Sequence, residues 1–234
     1  GGEFAIYYSD IHLLVKWDRD GKELAEENMR VNGQTAQSRQ ASEFWRRSGG
    51  TYSKRSVKGF SVRALPADCI FGTKGPAVLS QSTVPPACII GWLNSRLIRF
   101  LVHVQANAFE FNTGIVKRLP WQDDDRILRL EGPTKKAIEV CREAAALSEV
   151  NSCFVSILAR ESLQEVQVAA ERKLEAAART RTETCTLWDG VVDQVFGVDS
   201  SDLNVDSSDE VEEDDDDQVG EEEAVSTGND LHTV

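Results

Sequence analysis

The sequence predicts an α+β protein: a mixed body over residues 1–122, a helical hairpin-like extension over 123–198 and a disordered acidic tail over 199–234. Three observations predict it. Between 51 and 121, short β-branched and aromatic runs alternate with Gly, Pro and Asp turns around one stretch of helical spacing. Between 135 and 179 Gly and Pro vanish and Ala, Glu, Leu and Arg dominate, as in long helices. Beyond Val198 stand fifteen Asp or Glu and no Lys or Arg, a composition that cannot build a core.

The elements follow in order. An apolar run over 11–17 suits a strand, and Asp18 to Gly21 suits a turn. From 25 to 50 the pattern is polar and weak. Then come a Lys58-Gly59 step, FSVRAL, a Pro66-Ala67-Asp68 turn and CIF, interrupted by Gly72 and Gly75-Pro76. After Pro85-Pro86, ACIIGWLNSRLIRFLVHV sets Ile89, Leu93, Leu97 and Leu101 at helical spacing, so one amphipathic helix is expected to pack against the sheet. Alternation resumes in AFEFNTGIVKRLP, where Phe109 and Phe111 point one way, Asn112-Thr113-Gly114 turns and Ile115 leads into Lys117-Arg118. Residues 123–125 and Gly132-Pro133 form a boundary, and Pro133 can open a helix. Ile138, Cys141, Ala145 and Leu147, then Phe154, Leu158, Leu163, Val166 and Leu174, fit two helices packed as a hairpin with a break near Asn151-Ser152; a short helix is expected near 187–196.

The formal charge of −13 conceals a division along the chain. Residues 46–118 hold eleven Lys or Arg against two acids, Asp68 and Glu110, a local charge of about +9. Judged by segment, that window is the electrostatic footprint of a polyanionic partner, and it points to DNA. The tail admits three readings: a solvated terminus, an internal DNA mimic that occupies the basic surface, or a calcium chelator, for which the Gly-and-Glu loop spacing is absent.

A chain of 234 residues with 41% hydrophobic content can bury a good-sized core. It starts at Gly1 and its one methionine is Met29, so we expect a fragment that opens inside a larger protein, its first domain incomplete at the N-terminal side. No run of eighteen apolar residues and no signal core occur; a cytoplasmic setting with no membrane partner is expected. Five cysteines, at 69, 88, 141, 153 and 185, with no CxxC pair, fit reduced buried thiols better than disulfides or zinc. His12, His103 and His232 have no convincing partners, and no metal site is expected.

Three motifs run in order: FSVRALPADCIFGTKGPAVLS, IIGWLNSRLIRFLVHV and FEFNTGIVKRLPW. Together they resemble the C-terminal target-recognition region of large adenine-specific DNA methyltransferases, particularly the PglX-type proteins of BREX phage-defence systems and relatives in DISARM and type IIG restriction-modification. The resemblance covers about residues 7–196. The family's F-S-x-R strand is matched by Phe60, Ser61 and Arg63, its F-K-G-P turn by Phe71, Lys74, Gly75 and Pro76, its LNS helix by Leu93, Asn94 and Ser95, and its Gly-Ile to Leu-Pro exit by Gly114, Ile115, Leu119 and Pro120.

The resemblance implies double-stranded DNA as partner, a catalytic methyltransferase domain elsewhere in the parent protein, and S-adenosylmethionine as the parent's methyl donor for adenine N6. Candidate DNA contacts are Lys54, Arg55, Lys58, Arg63, Lys74, Asn112, Lys117 and Arg118. Asn94 and Asn112 could read adenine through their amides, although a structural hydrogen bond suits Asn94 and a turn suits Asn112. Phe44, Trp45 and Tyr52 could stack on bases or fill the core. The N/D-P-P-Y/F motif and the glycine-rich donor loop of amino-methyltransferases are missing, and Val84-Pro85-Pro86-Ala87 lacks the flanking polar and aromatic groups. No catalytic residue, and no cofactor, is therefore assigned to this chain itself. Two alternatives stay open: a non-enzymatic helical interaction protein with an acidic tail, and the specificity portion of a restriction enzyme.

Overall fold

The computed structural model describes residues 4–33, 41–80, 83–154 and 163–205; Leu158, His232 and the acidic stretch from 206 onward lie outside them. The architecture is mixed α+β. Its sheet is built on a strand that starts with two glycines. Strand β1, Gly49–Tyr52, lies between β2, Val62–Leu65, and β3, Ala77–Val78, antiparallel to both. Gly49 pairs with Leu65 and Tyr52 with Val62, while Gly50 pairs with Val78. A Cβ on Gly49 would stand 2.5 Å from the Val78 carbonyl oxygen, and one on Gly50 would stand 2.8 Å from Val62 Cγ1, so glycine permits this spacing. Tyr7 adds a parallel contact at the outer edge of β2, donating to the Val62 carbonyl at 3.1 Å and accepting from the Ala64 amide at 2.9 Å.

The strand expected over 11–17 does not form. Residues 8–17 carry no regular structure and Leu14 is 97% exposed, because an apolar run supplies a face but not a neighbouring strand to pair with. Asp18–Gly21 makes a 3₁₀ turn, and the Trp17 ring packs over Gly21 and edge-on to Trp45 at 5.2 Å. Helix α1, Lys22–Asn32, then forms where the polar pattern gave no period. It stops at Gly33, whose left-handed backbone lets its amide donate to the Met29 carbonyl.

The single helix expected over 84–104 is two. Helix α2, Pro86–Leu93, and helix α3, Arg96–Gln105, meet at 64°. Ser95 is extended and its hydroxyl donates to the Trp92 carbonyl at 2.7 Å, ending the first helix, while the Asn94 amide turns toward β2. The expected strand around 109–111 is also absent. Residues 107–110 form a tight turn, Phe111 enters the core, and Asn112 precedes a one-turn helix, α4, Thr113–Val116.

Helix α5, Asp125–Leu128, is capped by Asp124, which accepts from the Arg126 amide at 2.8 Å. Helix α6, Glu131–Ala145, packs along α7, Leu163–Phe196, as the expected hairpin. The separate helix expected at 187–196 is instead the end of α7, and Leu174 and Phe154 face solvent rather than the hairpin interior. One core joins residues before and after 122: Tyr7, Tyr52, Phe60, Leu93, Ile98 and Phe111 meet Ile127, Ala137, Trp188 and Val192. Tyr52, Phe60 and Phe111 run as a chain of tilted rings at 5.2 and 5.4 Å. The buried Trp188 indole donates to Thr134 Oγ1 at 2.8 Å and lies against Gly91.

Among the described residues no single helix is long and apolar enough to cross a membrane. The bent pair α2 and α3 buries Ile90, Trp92, Leu93, Ile98 and Val102 in this core. All five cysteines are free thiols. Cys88 is buried, which pushes its thiol up to about 11, and the other four are half-buried.

Candidate nucleic-acid interface

Beyond Tyr52 the chain of β1 keeps its neighbours. The Tyr52 amide donates to the Pro76 carbonyl at 3.3 Å and the Lys54 amide to the Lys74 carbonyl at 3.1 Å. On the other side the Phe111 amide donates to the Lys54 carbonyl at 2.6 Å, and the Ser56 amide to the Phe109 carbonyl at 3.2 Å. Three irregular segments are thus held side by side by backbone bonds. Lys74 sits at the tip of a tight turn that the Gly75 amide closes onto the Gly72 carbonyl.

This framework gathers Lys54, Arg55 and Lys74 around a shallow depression of about 310 Å³, with Glu110 as its acid. Lys54 Nζ lies 2.9 Å from Glu110 Oε1. That hydrogen bond, and then the charges of Lys54, Arg55 and Lys74, hold the Glu110 carboxyl below its ordinary range, so it is ionised at neutral pH. Three bases against one acid leave the depression with a net positive charge of about two. Exposed Lys58 stands at the following turn, beside Gly59 at φ +96°.

The other candidates are distributed differently. Asn112, Lys117 and Arg118 are exposed around α4 and do not line the depression. Asn112 occupies the helix cap position without a side-chain capping bond. Arg63 is 5% exposed and donates to Ser53 Oγ at 3.2 Å; burial, which disfavours its charge, lowers its pKa. It belongs to the core, not to an exposed DNA-reading surface. Asn94 is 2% exposed: its Oδ1 accepts from the Val62 amide at 2.9 Å, and its Nδ2 donates to the Val62 and Ile90 carbonyls at 2.7 and 2.9 Å. Every polar atom of that amide is turned inward, so it clamps α2 to β2 and is not presented to a base.

The remaining motif residues are structural in ways the sequence left open. Phe60, Leu93, Ile115 and Leu119 are core residues, and Ser61 Oγ accepts from the Ala5 amide at 3.2 Å. The Pro76 carbonyl accepts from Thr51 Oγ1 at 3.0 Å as well as from the Tyr52 amide. Ser95 ends α2; Phe71 and Gly75 are half-buried; Gly114 and Pro120 are exposed. Tyr52 is buried and unavailable for stacking, and burial pushes its phenol up to about 12. Phe44 and Trp45 are half-buried, the former beneath the Arg47 guanidinium at 5.9 Å.

Arg46 and Arg47, absent from the sequence-derived candidates, are exposed and line a second depression of about 410 Å³ with Ser48, Ala67, Ser80, Val84 and Pro86. The signal that could have found them is the Phe-Trp-Arg-Arg run itself, since a guanidinium beside an aromatic pair is a common nucleic-acid contact. Three further bases of the 46–118 window are committed internally or in part: Arg63, Arg99, whose Nε donates to the Phe60 carbonyl at 3.1 Å, and Arg96, whose guanidinium donates to the Ser201 carbonyl at 2.7 Å and lies 3.9 Å from Asp189 Oδ2.

No family model matches the chain. Over 144 residues, 61% of its length, it is 25% identical to the adenine-specific methyltransferase BrxX of Escherichia coli O9:H4 (strain HS). The match spans 11% of that protein. The chain is thus distantly similar in sequence to a small part of an adenine-specific methyltransferase.

Proposed function

We propose that this chain is the DNA-binding, target-recognition part of an adenine-specific DNA methyltransferase acting in restriction-modification or phage defence. Residues 1–122 hold the recognition surface, 123–198 buttress it, and methyl transfer belongs to a catalytic domain outside these residues. One observation carries the reading: the adjacent Lys54 and Arg55 converge with Lys74, which comes from a separate turn, on one open depression. The similarity to BrxX supplies the chemical class. The proposed setting is cytoplasmic, with duplex DNA as partner and no membrane. S-adenosylmethionine, the donor such a parent would use, does not suit either depression described here. Its sulfonium cation would meet Lys54, Arg55 and Lys74 in one and Arg46 and Arg47 in the other.

The test is a salt titration of duplex binding by the full chain. With about four phosphates neutralised, log affinity falls against log salt with a slope of about −3 to −4, and Lys54→Glu with Lys74→Glu weakens binding and flattens the slope by about two. A folded protein that binds no duplex at low salt would sink the reading. A second reading, a protein-interaction module, is favoured by the exposed apolar run that includes Leu13, Leu14 and Val15; it calls for self-association or capture of a protein partner lost on Leu13→Ser with Leu14→Ser, and no salt-sensitive DNA binding.

A further inference from the structure

The described chain ends beside the turn that carries Lys58. After α7 the backbone turns at Gly197, φ +66°, and is then pinned twice: Asp193 accepts from the Ser200 amide and hydroxyl at 3.0 and 3.1 Å, and Arg96 donates to the Ser201 carbonyl at 2.7 Å. These bonds steer the chain until the Val205 carbonyl oxygen lies 3.6 Å from the place a Cβ on Gly59 would take. Residue 205 is therefore packed beside the Lys58-Gly59 turn. Everything downstream, residues 206–234, contains thirteen Asp or Glu and no Lys or Arg.

We propose that the acidic segment 206–234 is the intramolecular occupant of the face formed by Lys54, Arg55, Lys58 and Lys74, and that it competes there with duplex DNA. The contact stands on charge and placement; its consequence for DNA rests on the reading above. Attraction between exposed charges fades beyond a Debye length of about 10 Å at 0.1 M salt, so the point of attachment decides which bases the tail can meet. The dense acids that begin at Asp209 lie four residues past Val205, within about 13 Å of extended chain. Tethering holds them near Lys58 at an effective concentration of about millimolar, without any folded interface. The pinning of Ser200 and Ser201 thus starts the acidic run beside Lys58, four residues along the chain from Lys54.

Two measurements on full-length protein test this. Zero-length carbodiimide cross-linking at low salt should join the Lys54, Lys58 and Lys74 amines to carboxylates between 206 and 234, and high salt should abolish the products. In parallel, the chain carrying Asp214→Asn, Asp215→Asn, Asp216→Asn, Asp217→Asn, Glu221→Gln, Glu222→Gln and Glu223→Gln should bind a labelled duplex about five-fold more tightly than the unaltered chain at low salt, the gap closing as salt rises. Cross-links that are absent, or spread evenly over lysines elsewhere, overturn the contact. Cross-links accompanied by equal, measurable affinities overturn the competition. If cross-links form and neither chain binds duplex, the tail contact stands and the DNA reading falls.

Discussion

Arg63 and Lys74 look alike in the sequence, each a base within a short motif, yet the fold gives them opposite roles. Arg63 sits in β2 between Tyr7 and β1, where its guanidinium meets Ser53; Lys74 stands at a turn tip and faces water. The basic window was legible because charge is read by counting. Which bases are free was not, because the side-chain partners of Arg63, Arg96 and Arg99 are Ser53, the Ser201 carbonyl and the Phe60 carbonyl, contacts that appear only once distant segments meet. Asn94 teaches the same lesson. Its amide saturates both backbone polar atoms of Val62, and removing it orphans a buried amide hydrogen while the Val62 carbonyl keeps Tyr7 as donor. Asn94→Ala is expected to destabilise the fold by about 2–3 kcal/mol, since an unsatisfied buried donor alone costs roughly 1–3 kcal/mol. Chemical denaturation checks it; an unchanged midpoint would show that water replaces the amide at no cost.

At the scale of elements, composition and period located most of the architecture, and pairing decided the rest. The helices of the hairpin, the turn at 66–68 and the β-type run that begins at Phe60 follow local rules that survive in the fold, whereas β1 starts inside the stretch read as polar and weak. The run over 11–17 has an apolar face but no strand beside it. The 84–104 stretch keeps helical spacing through Asn94-Ser95, so its 64° bend is invisible to periodicity and comes from a strand-to-helix bond. Gly190 lies inside the stretch expected as a separate short helix, and α7 runs straight through it. It is exposed, with nothing near its absent Cβ, and its penalty of about 1 kcal/mol is outweighed by burying Trp188, Val192 and Val195 around it. That burial depends on Gly91, where a Cβ would lie 2.0 Å from Trp188 Nε1. Gly91→Ala must displace α2 or α7, and its cost should reach about 3 kcal/mol, the upper range of core overpacking. Combined with Trp188→Leu, which is destabilising by itself, the loss should be less than the sum of the two single losses. A strictly additive double-mutant cycle would place the Gly91 effect elsewhere than in this contact.

For the molecule as a whole, separation of charge, rather than its total, organises the chain: a basic face set on a sheet, a helical buttress sharing its core, and acids gathered beyond residue 198. That division has a consequence for chemistry. Methyl transfer to adenine requires a site that holds a cationic donor and a flipped base together, with a polar acceptor and an aromatic wall at the amine. The Pro85-Pro86 pair instead opens α2, with Val84 before it and buried Ala87 after it. The two depressions described here present guanidinium and ammonium groups, which repel a sulfonium and attract phosphates. Incubated with labelled S-adenosylmethionine and unmethylated duplex, the purified chain should therefore transfer no methyl group, at any salt at which it binds DNA. Reproducible N6-methyladenine formed by this chain alone would overturn the proposed division of labour between recognition here and catalysis elsewhere.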